Sequence, residues 1–506
     1  MNGDPQFRAG RPAGLAERAA PWLLLLLAAA LRLPRLDARP LHHDEGTNVI
    51  FLLRLMNEGT YQYDPSNYHG PLLYFLSVIP LLLFGTTTVA LRAVPALLGT
   101  LMAPLPWLLR REIGRAGAFA AGILLAVSPS LVYYSRDNIH EIYLMTLTLS
   151  LVIAAVRGAT SGRLAPFAIA GAAAGGIVAT KETACLTFLA LAVGLALSKG
   201  GGLARPRRAA IFLFAGTAVL VAVALYSDLF VDLRGLERPL TAIRLWGSRG
   251  LHADGHGKPW WYFLAILGRD EPTILAAGTT GALLALWRRD RFGTFLLGWA
   301  GTILLAYSAI PYKTPWLVLN CVLPLALLGG AALQAAFAGG VPTEPRRPSV
   351  WVRGVALGAL ASGAVLSAHR AYDLSFVRYD DDGASGLIYV QTKRDVNRLV
   401  SRIEEFASRR PEGRGVPMEI LSPDYLPLNW YLRDFADVGY FGTVIDSPGA
   451  PIVIARSDSA ERVAGLLGPG YTRTSYPLRP GVELVLFLRE GGAGEKGKGP
   501  PSPGRL

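Results

Sequence analysis

Cysteine is almost absent from this chain: Cys185 and Cys321 are the only two in 506 residues, and both fall inside apolar runs. That excludes a disulfide framework and a thiolate zinc site, so a metal would have to be held by oxygen ligands with histidine beside them. Charge is also scarce, at 17% of residues against 51% hydrophobic. No Walker or dinucleotide-binding glycine pattern stands out, so a nucleotide cofactor is not expected. The formal charge of +13 does not point to nucleic acid either, because the arginines cluster between apolar segments instead of forming a stripe with interleaved aromatics. Basic clusters in that position anchor cytoplasmic loops against anionic lipid.

What the chain has is long apolar sequence broken by short basic loops, the pattern of a polytopic α-helical membrane protein. The first run, 20–36, follows Arg8, Arg11 and Arg18, which assigns its start to the cytoplasm and its exit to the outside. With no small-residue cleavage site before Arg39, it reads as an uncleaved helix. The run 71–84 is short for a span and fits an interfacial or re-entrant helix. Leaving it out lets 89–109 deliver Arg110, Arg111 and Arg115 to the cytoplasm, as the positive-inside rule asks. Continuing the alternation through 118–132, 139–156, 164–179, 183–197, 209–226, 274–287, 292–310, 316–337 and 351–366 gives about eleven spans, with Trp260-Trp261-Tyr262 as an interfacial anchor.

The expected organisation is a basic cytoplasmic tail at 1–19, a membrane domain at 20–368 with its first outer loop at 37–88, a small extracytoplasmic α/β domain at 369–490, and a disordered tail at 491–506 rich in Gly, Pro, Ser and Lys. Within the α/β domain the pattern predicts strands at 386–391, 416–421, 451–455 and 482–488, and helices at 393–407, 427–435 and 460–467.

This topology puts the unusual charges on one face of the membrane. Asp44 and Glu45 follow the first span; on a helix they would point about 100° apart. A carboxylate there suits removal of a proton from a hydroxyl or amine; a solvated pair capping a helix that begins near Thr47 is the alternative. His69 precedes Gly70-Pro71 and is a candidate for a phosphate, pyrophosphate or metal, or a turn histidine with no ligand. Arg136-Asp137 opens a span, with His140 and Glu141 one turn on. Asp137, His140 and Glu141 are candidates for a divalent site taking Mg or Mn, while Asp137 could equally serve as an N-cap. Lys181, beside Glu182, and Lys313, bracketed by Pro311 and Pro315, interrupt apolar sequence where a cation suits an anionic lipid headgroup, a structural ion pair or snorkelling anchor being the alternative. Arg136 joins His69, Lys181 and Lys313 as a candidate for that phosphate. His252 to His256 form a loop that either covers the site, binds metal or stays a flexible surface.

With these residues in place the sequence resembles the GT-C superfamily of membrane glycosyltransferases that use polyprenyl-phosphate sugars, the protein O-mannosyltransferase and aminoarabinose-transferase group, and within it the flippase-activity-associated membrane proteins. The markers are HHDEG at 42–46, YHGPLLYFL at 68–76, RAVPALLG at 92–99, YYSRDN at 133–138, TKET at 180–183 and YKTPW at 312–316. The resemblance implies that Asp44 is the acidic catalytic residue of the first outer loop and Glu45 its partner, that Asp137 is the acidic position of the second, and that Lys313 belongs with residues holding the donor phosphate. Gly70 departs from the family pattern, where a basic residue or His is followed by Pro-Pro.

The expected function is inverting transfer of a hexose, mannose among the candidates, from polyprenyl phosphate to a lipid-linked glycan, envelope polymer or protein acceptor at the outer face of the plasma membrane. Asp44 would be the general base, and Lys313 or a metal would stabilise the leaving phosphate. The rival is a flippase or flippase-associated protein that binds a lipid-linked sugar without cleaving it; it predicts charges at mid-membrane or on both faces.

Overall fold

The computed structural model describes residues 15–67, 69–198, 207–252, 255–338 and 349–490. The expectations for the N-terminal tail before residue 15, Tyr68, the loop at 199–206, Asp254, Arg346, Arg347 and the tail at 491–506 lie outside the described residues. In chain order the membrane-domain helices are α1 (Leu15–Arg32), α2 (His43–Glu58), α3 (Leu72–Phe84), α4 (Thr88–Met102), α5 (Arg115–Val127), α6 (Pro129–Tyr134), α7 (His140–Ser161), α8 (Ala165–Val178), α9 (Ala184–Leu197), α10 (Arg208–Tyr226), α11 (Arg238–His252), α12 (Tyr262–Asp270), α13 (Pro272–Arg288), α14 (Arg291–Ala309), α15 (Leu319–Ala338) and α16 (Val350–Tyr372).

Among the described residues six helical segments are long and apolar enough to cross a bilayer: Thr88–Leu109, His140–Ser161, Arg208–Tyr226, Arg291–Ala309, Pro315–Phe337 and Val350–Val377. Four apolar helices, α3, α5, α8 and α9, are shorter. The expected count of eleven is therefore not what helix length alone supports. One expected span, 118–132, is broken: Pro129 has no N–H to continue α5, and the Ser128 hydroxyl instead accepts from the Leu131 N–H to cap α6. Exposed apolar side chains such as Phe212, Val219, Leu220, Val355 and Val365 cover α10 and α16, as on helices facing lipid. Helix α8 lies against α10 closely enough that a Cβ on Gly175 would sit 2.3 Å from the Ala218 carbonyl oxygen, a small-residue contact of the membrane kind.

Contacts between helix termini mark the two ends of the bundle. Arg115 at the start of α5 pairs with Glu17 near the start of α1. Arg157 near the end of α7 donates to the Leu108 carbonyl at the end of the Thr88–Leu109 segment, and Gln334 late in α15 accepts from the Ala116 N–H. The opposite end gathers the start of α7, the α8–α9 turn, the start of the Pro315–Phe337 segment and the whole of α2. At ~1.5 Å per residue, α7 alone separates the two ends by about 30 Å.

Beyond α16 the chain forms a sheet domain with β1 (Met418–Ile420), β2 (Val438–Tyr440), β3 (Ile452–Arg456), β4 (Tyr471–Arg479) and β5 (Val482–Arg489), ordered β2-β1-β3-β5-β4. The pairs β1–β2 and β1–β3 are parallel; β3–β5 and β4–β5 are antiparallel. Alternation sorts the side chains by face. Ile452, Ile454, Leu484 and Leu486 meet α17 (Asp395–Ser408), while Val453, Ala455, Val485 and Phe487 meet α19 (Ala460–Leu467); α18 (Leu428–Tyr431) lies between β1 and β2 in sequence. The strand expected at 386–391 does not form. That segment packs on the membrane domain, where the Leu387 carbonyl accepts from Tyr134 and Gln391 donates to Pro40. The helix expected at 427–435 is shortened to α18. Strands β2 and β4, absent from the sequence reading, are the two sheet edges, and their mostly polar or half-exposed residues carry no apolar alternation.

Candidate functional site

The segment between α1 and α2 is pinned by arginines. Arg92 of α4 donates to the carbonyls of Leu36, Arg39 and Pro40, and Arg136 donates to those of Arg32, Pro34 and Arg35. This fixes the entrance to α2, where each residue of His42-His43-Asp44-Glu45 points a different way. The His42 Nδ1 accepts from the Asp44 N–H at 3.1 Å as the helix cap, which leaves Nε2 protonated to donate to the Tyr389 carbonyl at 2.8 Å. The His43 Nδ1 lies 2.9 Å from Arg479 Nη1; a guanidinium only donates, so this nitrogen is also an acceptor already in use. Burial, with Arg479 and His42 nearby, lowers His43 to about 4 against the pull of Asp44. Asp44 opens toward a cavity of about 360 Å³, its side chain 39% exposed. Of these three titratable groups only the Asp44 carboxylate is free to take a proton.

Glu45 turns inward. It is fully buried, bonded at both oxygens by Arg92 (2.8 and 2.6 Å) and by the N–H groups of His42 and Asn138. Burial raises its pKa, but Arg92 and those N–H groups outweigh this and hold it below the usual carboxylate range. Glu45 is thus a positioning residue, a correction to its place beside Asp44 as catalytic.

A second wall comes from His69, the start of α7 and the α8–α9 turn. His69 Nδ1 meets the Glu182 carboxylate at 2.9 Å and its ring lies on that of His140, centroids 4.6 Å apart. Although burial opposes it, His69 and Lys181 hold Glu182 below the ordinary range. Lys181 pairs with Glu141. The segment 69–72 runs along the α8–α9 turn, with Gly70 N–H on the Thr180 carbonyl and Leu72 N–H on that of Ala179. A Cβ on residue 70 would fall 2.2 Å from the Ala179 oxygen, so the departure from the family pattern at Gly70 is a backbone contact.

The third wall joins two loops and the sheet domain. Residues 256–258 pair with 311–313 through Lys258 N–H to Pro311 and Lys313 N–H to His256. His256, Tyr312, Thr314 and Trp316 reach the cavity from there. Tyr389 holds His256 through its hydroxyl at 2.9 Å. Val390, also lining the cavity, has φ +52°, a strained conformation for a β-branched residue. Arg479, at the irregular end of β4, pairs with Asp424, which Arg456 also holds at 2.7 Å.

The structure thus brings Asp44, His69, Lys181, His140 and Glu141 to one cavity, together with His256. Three other candidates stand apart and are corrected. Arg136 is spent on the carbonyls that end α1 and stacks over Phe376. Lys313 is buried with its ammonium folded back on the Ile310 carbonyl, and burial lowers its pKa; its neighbours line the cavity, it does not. Asp137 is buried in an ion pair with Arg39, with Arg92 3.8 Å away, and burial raises it despite these cations. With Asp137 on Arg39 and Glu141 on Lys181, the proposed Mg or Mn ligands are not gathered, and the described residues hold no group of three or more His, Cys, Asp or Glu arranged for a metal ion. Arg479 and Tyr389 were not read from the sequence as site residues. Arg479 lies 436 residues from its partner His43, in a strand without a motif.

Residues 68–226 match the family model described as dolichyl-phosphate-mannose-protein mannosyltransferase. Undecaprenyl phosphate-α-4-amino-4-deoxy-L-arabinose arabinosyl transferase 1 of Pseudomonas fluorescens is 26% identical over 280 residues, 53% of this chain and 50% of the relative. The corresponding transferase of Edwardsiella ictaluri is 27% identical over 275 residues, 52% and 49% of the two chains. The chain thus spans about half the length of the curated relatives it matches. The crystal structure of ArnT from Cupriavidus metallidurans bound to undecaprenyl phosphate superposes with a TM-score of 0.70 at 16% identity, covering 94% of this chain and 98% of that one. Its apo form gives 0.64 at 18% identity over 93% and 98%. The fold is shared nearly end to end.

Proposed function

From the premise that this chain is a GT-C superfamily glycosyltransferase, we propose that it transfers a hexose from a polyprenyl-phosphate carrier to an acceptor at the outer membrane face, by a single inverting displacement. The acceptor oxygen or nitrogen forms a bond to the anomeric carbon while the bond from that carbon to the phosphate oxygen breaks. Asp44 takes the acceptor's proton, and the electron pair of the broken bond leaves on polyprenyl phosphate, so atoms and charge balance without a nucleotide. His69 and Lys181, held at the cavity wall by Glu182 and Glu141, receive the phosphate. Glu45 and Arg92 hold α2 in register for this step.

The observation that carries the reading is that Asp44 alone among residues 42–45 is left to act as a base: the two preceding imidazoles have Nδ1 occupied, Glu45 is held by Arg92, and the Asp44 carboxylate faces the cavity. Single displacement is favoured because the other cavity carboxylates, Glu141 and Glu182, are each paired and so poorly suited to attack a sugar. The relatives named for transfer from undecaprenyl phosphate support the donor class.

The test is release of polyprenyl phosphate from a panel of radiolabelled polyprenyl-phosphate hexoses by the full chain in proteoliposomes, with envelope extract as acceptor. Release with label arriving in a product supports transfer and identifies the sugar. Binding without cleavage across the panel overturns it in favour of the flippase or accessory reading.

A further inference from the structure

Among the described residues two side-chain cations, Lys181 and Arg479, line the cavity, and they belong to different parts of the fold. Lys181 sits on the α8–α9 turn, inside the bundle. Arg479 comes from β4 of the sheet domain, outside the bundle, and approaches Asp44 closely enough to hold His43, the residue next to it, at 2.9 Å. A single phosphate leaving group accounts for one of them. The other is costly to bury without a purpose: the Arg479 side chain is only 10% exposed, and its placement uses Asp424, Arg456 and an irregularity between Pro477 and Arg479. Its five N–H groups exceed what Asp424, His43 and the Leu426 carbonyl take up, so the fork retains donors.

We propose that Arg479 is the acceptor-binding residue and that the acceptor carries an anionic group, a phosphate or carboxylate, near the hydroxyl or amine that attacks. The inference deepens the transferase reading above and rests on it for the assignment of Lys181 to the donor. Chemistry assigns the roles. A lipid donor brings its phosphate to the bundle and so to Lys181, while an acceptor enters beneath the sheet domain and meets Arg479. A planar guanidinium gripping that anion in two places would turn the neighbouring hydroxyl or amine toward Asp44. Arg479 also fixes His43 with its proton on Nε2. Arg479 thereby joins Tyr389 and Val390 in bringing the region beyond α16 to the cavity.

The experiment measures calorimetric binding of hexose 6-phosphate and of the unphosphorylated hexose to the full-length protein in nanodiscs saturated with polyprenyl phosphate, which occupies the donor end. Wild type is expected to prefer the phosphorylated sugar by about 10- to 100-fold, the scale of one charge-assisted contact. Arg479→Gln should abolish the preference while leaving polyprenyl phosphate binding within about twofold, and Arg479→Lys, which keeps the charge and the Asp424 partner, should retain part of it. Thermal melting identifies any misfolded variant. Undiminished preference in Arg479→Gln overturns the proposal, as does absence of any preference in wild type; loss of polyprenyl phosphate binding in that variant would move Arg479 to the donor. Failure of the transferase reading is seen separately, as wild type that never cleaves the donor panel.

Discussion

Removing Glu45 should damage the protein more than removing its neighbour Asp44. Glu45→Gln leaves Arg92 buried without its charge partner, a loss on the order of 3–5 kcal/mol that a thermal melt in detergent would register as a large drop in Tm. Asp44→Asn leaves an amide on a part-exposed side chain and should melt like wild type, with transfer reduced by about 10²- to 10⁴-fold. His43 adds a pH dependence. Its pKa in the fold is about 4, against an ordinary value near 6.5, so the unfolded chain binds the proton more readily. Stability contributed by neutral His43 is therefore full above pH ~6.5 and lost as pH falls toward ~4, by a few kcal/mol in all. Melts from pH 7 to 4.5 should show a smaller acid-induced decline in His43→Gln than in wild type; equal slopes would contradict it. The motif at 42–45 was legible because charge is rare in this sequence, and the 100° offset of adjacent helical residues showed that Asp44 and Glu45 point apart, but not that Arg92 takes up Glu45. Arg136 and Lys313 were misread for one reason: position tells which end of a helix a long cation occupies, not that it turns back onto a carbonyl.

At the scale of elements, the site depends on segments with little regular structure. Residues 69–72 are held by backbone contacts to the α8–α9 turn, and Gly70→Ala would place a methyl group inside the Ala179 carbonyl. We expect a loss of about 1–3 kcal/mol and displacement of His69 from Glu182, read as a lowered Tm together with weakened polyprenyl phosphate binding. Unchanged binding at lowered Tm would uncouple His69 from the phosphate. Apolar length and basic flanks were enough to read most helices, because lipid-facing and bundle-facing residues alike must be apolar. The kink at Ser128-Pro129, the edge strands β2 and β4, and the irregular 386–391 segment were not readable, since hydrogen bonds to distant parts of the chain decide them.

Across the whole molecule, the sheet domain is clamped onto the first loop and α2. Asn429 donates to the Gly46 carbonyl, Tyr431 accepts from the Leu41 N–H, Trp430 donates to Thr88 and Arg433 to the Thr86 carbonyl. Trp430 is buried, and Trp430→Ala should cost about 3–5 kcal/mol and open this clamp, seen as faster proteolysis between 369 and 395. The proposed sidedness is testable with Cys185 and Cys321 replaced by serine: Ser475→Cys on exposed β4 should react with an impermeant thiol reagent added outside intact cells, and exposed Arg163→Cys, at the opposite end, should not. Charge patterning supplied the sidedness that this labelling tests; the contribution of Arg479 from the far end of the chain was invisible to it. We propose Asp44 as the base for sugar transfer from polyprenyl phosphate. Its most direct test is the rate of label transfer by wild type and Asp44→Asn in the same proteoliposomes, normalised to bound polyprenyl phosphate. Equal binding with transfer reduced at least about a hundredfold is expected in the variant; transfer within a few-fold of wild type would show that Asp44 is not the base.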